Sequence, residues 1–369
     1  MREYVPECRK RFWTEYSRNR DGNEVYMARR SGRIVWVDLI RAISIICICM
    51  IYMQGVVYQD GRIKAACYFS VSLMLIITGY VTYKSNENRS LGEAYMHAFA
   101  RVLEILVLYV LASVLYILYH ERQLTVGLFW KHIRDFSASA PFYYFAFYLQ
   151  YLLIGPLLVK LVKICSGKNG SSWLNVMWFW FIVVIATLCV QYSRIGNIFA
   201  GGNMLFGGTH LIMFYLGILL AGTESRFSKV LKHMLVRVLL TVLTVGWGYA
   251  YINGYLPFDG WLEKLWYEGV NPPGLSLMVL ATLVMLTGMA WFRDVNNRTG
   301  LLSPITWIGQ NTLFIFMFHI LVMEILLDRA WIEDRMGLWW MKVLFAVVVV
   351  AGCVLAETAY KRLKGLIRR

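Results

Sequence analysis

The stretch IVWVDLIRAISIICICMIYMQGVV, residues 34–57, decides the fold. Its only charged residues are Asp38 and Arg41, both near its start. The apolar run that follows is long enough to cross a hydrocarbon core about 30 Å thick as a single helix. A basic segment over residues 1–33 precedes it, with Arg9, Lys10, Arg11, Arg18, Arg20, Arg29, Arg30 and Arg33. No cleavable leader is visible there, so the run is expected to stay in the chain as a signal anchor.

The same pattern recurs along the chain. Apolar runs at 63–83, 95–119, 142–165, 172–192, 207–222, 233–253, 275–293, 304–328 and 338–357 bring the expectation to about ten spans. Only 16% of the 369 residues are charged, against about a quarter in a soluble domain, which leaves little room for a soluble domain. The expected division is a basic tail at 1–33, a membrane domain at 34–357 and a second basic tail at 358–369. One polar-interrupted segment, 254–274, carries Trp261, Trp266, Pro272 and Pro273 and reads as an outer loop over a site or along the membrane surface. No internal repeat supports a solenoid or an inverted-repeat transporter.

A net charge of +15 in a soluble protein would suggest a nucleic-acid partner. Here no basic stripe with interleaved aromatics forms a separate domain, so none is expected. The basic residues sit in short loops and tails, where they meet anionic lipid headgroups and set orientation. With the N-terminus inside, the inner segments hold 25 of the 37 Lys and Arg residues and the outer segments ten. Both termini are therefore expected on the cytoplasmic side of a multi-pass protein of the cell membrane. The seven cysteines show neither zinc spacing nor a disulfide framework, and most read as small hydrophobes within helices. No cluster of His, Cys and carboxylates has metal-ligand spacing, so no metal is expected.

Ionisable side chains inside spans cost about 2.5–3.5 kcal/mol each on insertion scales and usually face a cavity or a partner. Asp38 and Arg41 share one helical face, and Arg101 and Glu104 repeat the spacing in the third span. A snorkelling ion pair accounts for either couple alone. Two arginines at similar depth also suit a phosphate-rich ligand arriving from the cytoplasm, because the planar guanidinium fork matches a diphosphate. His319 falls in the outer half of the ninth span, and His210 opens the sixth from the outer side. Tyr52 and Gln54 lie toward the outer end of the first. A lone histidine on an apolar face is usually a packed structural group, yet by depth these four could line one cavity. His97, His120, His132 and His233 fall in loops or at span ends, where a solvated role is the default.

Several segments together resemble the acyltransferase 3 family of membrane acyltransferases. WVDLIRAISIICICMIY at 36–52 is similar to that family's opening, and LMLIITGYV at 73–81 resembles its second-span pattern, with Thr78 and Gly79 at the Ser-Gly place. PFYYFAFYLQYLLIGPLL at 141–158 and FYLGILLAG at 214–222, through Gly217, resemble two further elements. WIGQNTLFIFMFH at 307–319 resembles the family's Trp-x-Gly ending in His, with Thr312 and Phe316 at its Ser and Tyr places. The resemblance implies an all-α membrane bundle of about ten transmembrane helices. It also implies transfer of an acyl group, commonly acetyl, from cytoplasmic acyl-CoA to an acceptor such as a cell-surface or lipid-linked glycan. The family's first span carries an Arg and, eleven positions on, a His regarded as catalytic. Arg41 matches the first, but Tyr52 stands in place of the second, and Glu104 stands where a second Arg of the third-span motif is usual.

Histidine suits the work of a base because its ordinary pKa is near neutrality, whereas that of tyrosine is near 10. In the leading reading the base is rearranged: His319 or His210 takes it over, Tyr52 orients the acceptor, and Arg41 and Arg101, with Asp38 as partner of Arg41, bind the CoA phosphates. A second reading is an inactive family member that moves a glycan or lipid-linked substrate or serves as an accessory subunit. A third is a membrane receptor or scaffold with unrelated chemistry. The sequence identifies neither the acceptor nor the acyl chain nor the oligomeric state.

Overall fold

A computed structural model of the chain describes residues 34–166, 172–196, 205–256, 273–295, 300–328 and 338–367. The basic tail expected at 1–33, with Cys8, and Trp261, Trp266 and Pro272 of the expected outer loop lie outside the described residues. Helix α1 spans Val35–Tyr52 and stops before the apolar run does. The chain turns back over Met53–Tyr58, where Gly55 has φ +87° and the Tyr58 hydroxyl donates to the Met50 carbonyl at 2.5 Å. Gln54, expected in the span, therefore lies in this turn. Short α2, Gly61–Cys67, is capped by Asp60, which accepts from the Arg62 amide at 2.9 Å, and α3 follows over Phe69–Asn86. A Ser90–Glu93 capping box starts the long α4, Leu91–Glu121. Next comes α5, Val126–Asp135, a helix with no buried residue and with Trp130 exposed, as expected of an amphipathic helix lying in a membrane interface.

The remaining helices are α6 (Tyr143–Ser166), α7 (Ser172–Gly196), α8 (His210–Leu231), α9 (Met234–Ile252), α10 (Leu275–Phe292), α11 (Ser303–Gln310), α12 (Thr312–Leu327) and α13 (Trp339–Ile367). Among the described residues eight helices are long and apolar enough to cross a membrane, or nine if the bent pair α11 and α12 makes one span. Each of the ten expected runs falls on a helix or a helix pair. The one that falls short of a span is α8, apolar from His210 to Ala221 but carrying Glu224, Arg226 and Lys229 beyond.

That helix sits at the centre, buried from His210 through Tyr215 and again at Gly217, Ile218 and Ala221. Lipid tails are as apolar as leucine, so helices in a bilayer associate through close packing of small residues more than through burial of apolar surface. The α3–α8 crossing is built this way. A Cβ added at Gly79 would collide with the Phe214 carbonyl, and one at Gly217 would collide with the Ile76 carbonyl. Two segments quoted above for their family resemblance thus supply the two sides of one backbone-to-backbone contact. At the periphery, α9 buries nothing and turns Leu235, Val242 and Val245 outward, as a lipid-facing helix does.

Between α11 and α12 the axis bends by 83° at Asn311. A break inside a membrane frees backbone groups that need new partners. Asn311 supplies several of them: its side chain donates to the Trp307 carbonyl at 2.8 Å, its amide to the Ile308 carbonyl at 3.0 Å, and its own carbonyl accepts from Ile315 at 3.1 Å. Its amide oxygen accepts from Lys361 at 2.9 Å, and Lys361 also pairs with Glu357 at 2.6 Å. Helix α13 therefore runs past the span end expected at 357 and carries Lys361 of the expected tail onto the break.

Candidate active site

The first cluster forms where α1 meets the α11–α12 break. Asp38 is buried and accepts from the Gln310 side chain at 3.4 Å. Gly309 packs so closely that an added Cβ would strike the Asp38 backbone. Arg41 lies 3.9 Å from the Asp38 carboxylate, at the outer limit of an ion pair, and its side chain is 27% exposed. A contact that loose leaves most of the guanidinium free to hold something else. The other groups acting electrostatically on Arg41 are Tyr148, Arg101 and Tyr144. Arg101 pairs with Glu104 at 3.2 Å on the exposed face of α4. The structure thus sets Asp38 and Arg41 together, within electrostatic reach of Tyr144 and Tyr148 of α6, while Arg101 pairs with Glu104 on the exposed face of α4.

The second cluster joins Tyr52 and His319, residues from α1 and α12 far apart in the chain. Their ring centroids are 5.2 Å apart, inclined by 58°. His319 is 1% exposed. Its Nδ1 lies 3.0 Å from both the Ile315 and Phe316 carbonyls. A carbonyl can only accept, so these contacts place the proton on Nδ1 and leave the Nε2 lone pair as an acceptor. Nε2 is buried and has no hydrogen-bond partner among the described residues. An unmet buried acceptor costs about 1–3 kcal/mol, so a group able to donate a proton is favoured beside it. A substrate hydroxyl is such a group.

His210 stands further off, stacked on Phe147 at 4.8 Å. A path of ring contacts leads from it to His319 through Phe147, Tyr144 and Phe316, with steps of 5.0, 5.0 and 6.2 Å. The structure brings Tyr52 to His319 and Asp38 to Arg41, while Arg101 pairs with Glu104 and His210 connects to the first pair through that aromatic path. Tyr144 connects the two clusters, since its ring meets Phe316 at 5.0 Å and it also acts electrostatically on Arg41. Eleven residues of α1 separate Arg41 from Tyr52, about 16 Å along the axis at 1.5 Å per residue.

Sequence reasoning missed Tyr144, Tyr148, Gln310 and Lys361. The tyrosines passed as part of the apolar run at 142–165 and the lysine as part of a tail. Another missed group surrounds Glu224, which accepts from the Tyr80 hydroxyl at 2.8 Å and pairs with Lys84 at 2.9 Å and Arg293 at 3.0 Å. His120, expected as a solvated surface group, pairs with Glu324 at 2.9 Å, and its neighbour Tyr119 donates to Asp328.

The family model for an acyltransferase domain of the acyltransferase 3 type matches residues 34–358, nearly the whole chain. No curated protein matches it.

Proposed function

This chain belongs to the acyltransferase 3 family of membrane proteins, and on that premise we propose that it transfers an acyl group, acetyl by preference, from cytoplasmic acyl-CoA to a hydroxyl of a cell-surface or lipid-linked glycan. The observation that carries the proposal is the His319 Nε2, buried, without a hydrogen-bond partner among the described residues, on a ring beside Tyr52. Arg41 and Arg101 hold the donor's diphosphate at the end of the bundle taken as cytoplasmic. The extended pantetheine arm runs along α1 past Tyr144 and Tyr148 toward His319. There the acceptor oxygen attacks the thioester carbonyl carbon while Nε2 takes the hydroxyl proton. The C–S bond breaks, the ester forms, and the proton passes to the departing thiolate. Tyr52 flanks the imidazole and orients the acceptor, in the place where the resemblance puts a histidine.

Arg41 gives the test of the donor site. Arg41→Gln keeps a polar side chain near Asp38 but removes the charge, and a lost charge-assisted contact is worth about 1.5–3 kcal/mol. The KM for acetyl-CoA is expected to rise about 10- to 100-fold with a smaller change in kcat, since this group binds the donor away from the reacting atoms. A fall confined to kcat, with KM unchanged, would place Arg41 outside the donor site.

Tyr52 itself favours a second reading, in which the base is lost and the fold binds or moves a glycan-linked substrate. Turnover that appears only on Tyr52→His would establish that reading for the natural chain.

A further inference from the structure

Glu224 is buried at the heart of a charged hub that the candidate site does not use. Its Oε2 takes the Tyr80 hydroxyl and the Lys84 ammonium, and its Oε1 takes Nε of Arg293. Three elements meet here: α3, α8 and the residue that follows α10. Two cations share one buried carboxylate, and the next acid, Glu87, stands 3.9 Å from Lys84 with its side chain 45% exposed. Within the hub itself two cations meet one buried carboxylate, and Glu87 balances the second cation only from the exposed rim. Nη1 of Arg293 is buried and has no hydrogen-bond partner among the described residues. A buried guanidinium N–H without an acceptor is costly, because it has given up water for nothing. An anion with several acceptor oxygens resolves that, and a phosphate matches the guanidinium fork bidentately.

The position of the hub narrows the choice. Tyr80 packs edge-on against Trp36 of α1 at 5.0 Å. Gly288, five residues before Arg293, packs against Ile40, the neighbour of Arg41. Both contacts set the hub at the Trp36 level of α1, five residues or about 7.5 Å from Arg41 along the axis. Two cationic sites at that separation suit a ligand with two separate phosphate groups. Coenzyme A is such a ligand, with a diphosphate and a ribose 3′-phosphate.

Building on the donor proposed above, we infer that Arg293 and Lys84 form a second phosphate subsite that receives the 3′-phosphate monoester of the donor nucleotide. Arg41 and Arg101 then keep the diphosphate, and Glu224 holds the two cations of the second subsite in place. Arg293 acts as a specificity residue that distinguishes CoA from its 3′-dephospho form.

The test is competition against labelled acetyl-CoA by CoA and by 3′-dephospho-CoA, with the full chain in nanodiscs of neutral phosphatidylcholine. The wild type is expected to bind CoA at least about tenfold more tightly than the dephospho form, the scale of one charge-assisted contact. In Arg293→Gln the two affinities converge on the dephospho value, which itself stays unchanged. Arg293→Lys keeps a charge for Glu224 without the fork, and is expected to recover part of the discrimination if the first variant folds poorly. An equal preference in wild type and Arg293→Gln overturns the subsite and leaves the donor reading standing. Failure of the wild type to bind CoA at all overturns the donor reading, and the subsite with it. The same measurements in nanodiscs containing phosphatidylglycerol separate the lipid source. A CoA preference that survives Arg293→Gln, together with loss of a phosphatidylglycerol effect, gives the site to a lipid headgroup and overturns the nucleotide assignment.

Discussion

His319→Gln lowers kcat for acyl transfer by about 10²- to 10⁴-fold, the range for removal of a positioned general base. Donor binding should survive, because Arg41, proposed to hold it, sits about 16 Å along α1 from Tyr52, the ring that His319 meets. Glutamine is close to histidine in reach and can still hydrogen-bond within the helix, so the turn that accepts Nδ1 at Ile315 and Phe316 keeps a donor. What glutamine lacks is a basic lone pair where Nε2 now stands. The check is kcat measured beside CoA affinity on the same preparation. A fall in kcat within about threefold of wild type would leave His319 a packed structural group and move the role of base elsewhere. His210 is the next candidate, and the same substitution there is expected to have the smaller effect, since His210 is stacked on Phe147 and three ring contacts separate Phe147 from His319.

The second large effect concerns the fold. Gly217→Val should abolish the monodisperse folded protein. The added carbons have to occupy the space of the Ile76 carbonyl, and backbone cannot turn aside as a flexible side chain can. Ordinary overpacking costs about 1–3 kcal/mol. Forcing α3 and α8 apart also breaks contacts along the most buried helix, so a cost of at least about 3 kcal/mol is expected from a net stability of about 5–15 kcal/mol. Gly246→Ala is the matching control, because a Cβ at Gly246 on α9 meets nothing within 4 Å. Size-exclusion profiles and thermal midpoints of the two variants in one detergent decide it. Equal midpoints would mean that the α3–α8 crossing is looser than described.

Much of the architecture was legible in the sequence because the bilayer imposes a length and a composition on each span. The apolar runs located the helices, and the charged residues inside them pointed to Asp38 and Arg41. Periodicity could not show which helices touch. Gly79 and Gly217 were visible in separate motifs, but the sequence held no sign that they face one another. The bend at Asn311 was hidden because TWIGQNTLFIF reads as one continuous span, and only the folded chain brings Lys361 onto it. Glu224 escaped for a related reason. The apolar run ends at 222, so the carboxylate read as part of a loop, although α8 continues to Leu231 and buries it between Lys84 and Arg293. Tyr52 was read as a departure from the family pattern. Its contact with His319 places an imidazole from another helix beside the first-span position where the family pattern has its own.

The central claim is that this chain carries out acyl transfer with its base on α12 in place of α1. The most direct measurement is release of CoA thiol and transfer of label from acetyl-CoA by the wild type in nanodiscs, with His319→Gln and Tyr52→His alongside. Turnover in the wild type that is lost in His319→Gln is the predicted result. No turnover in the wild type, with none gained in Tyr52→His, would contradict it.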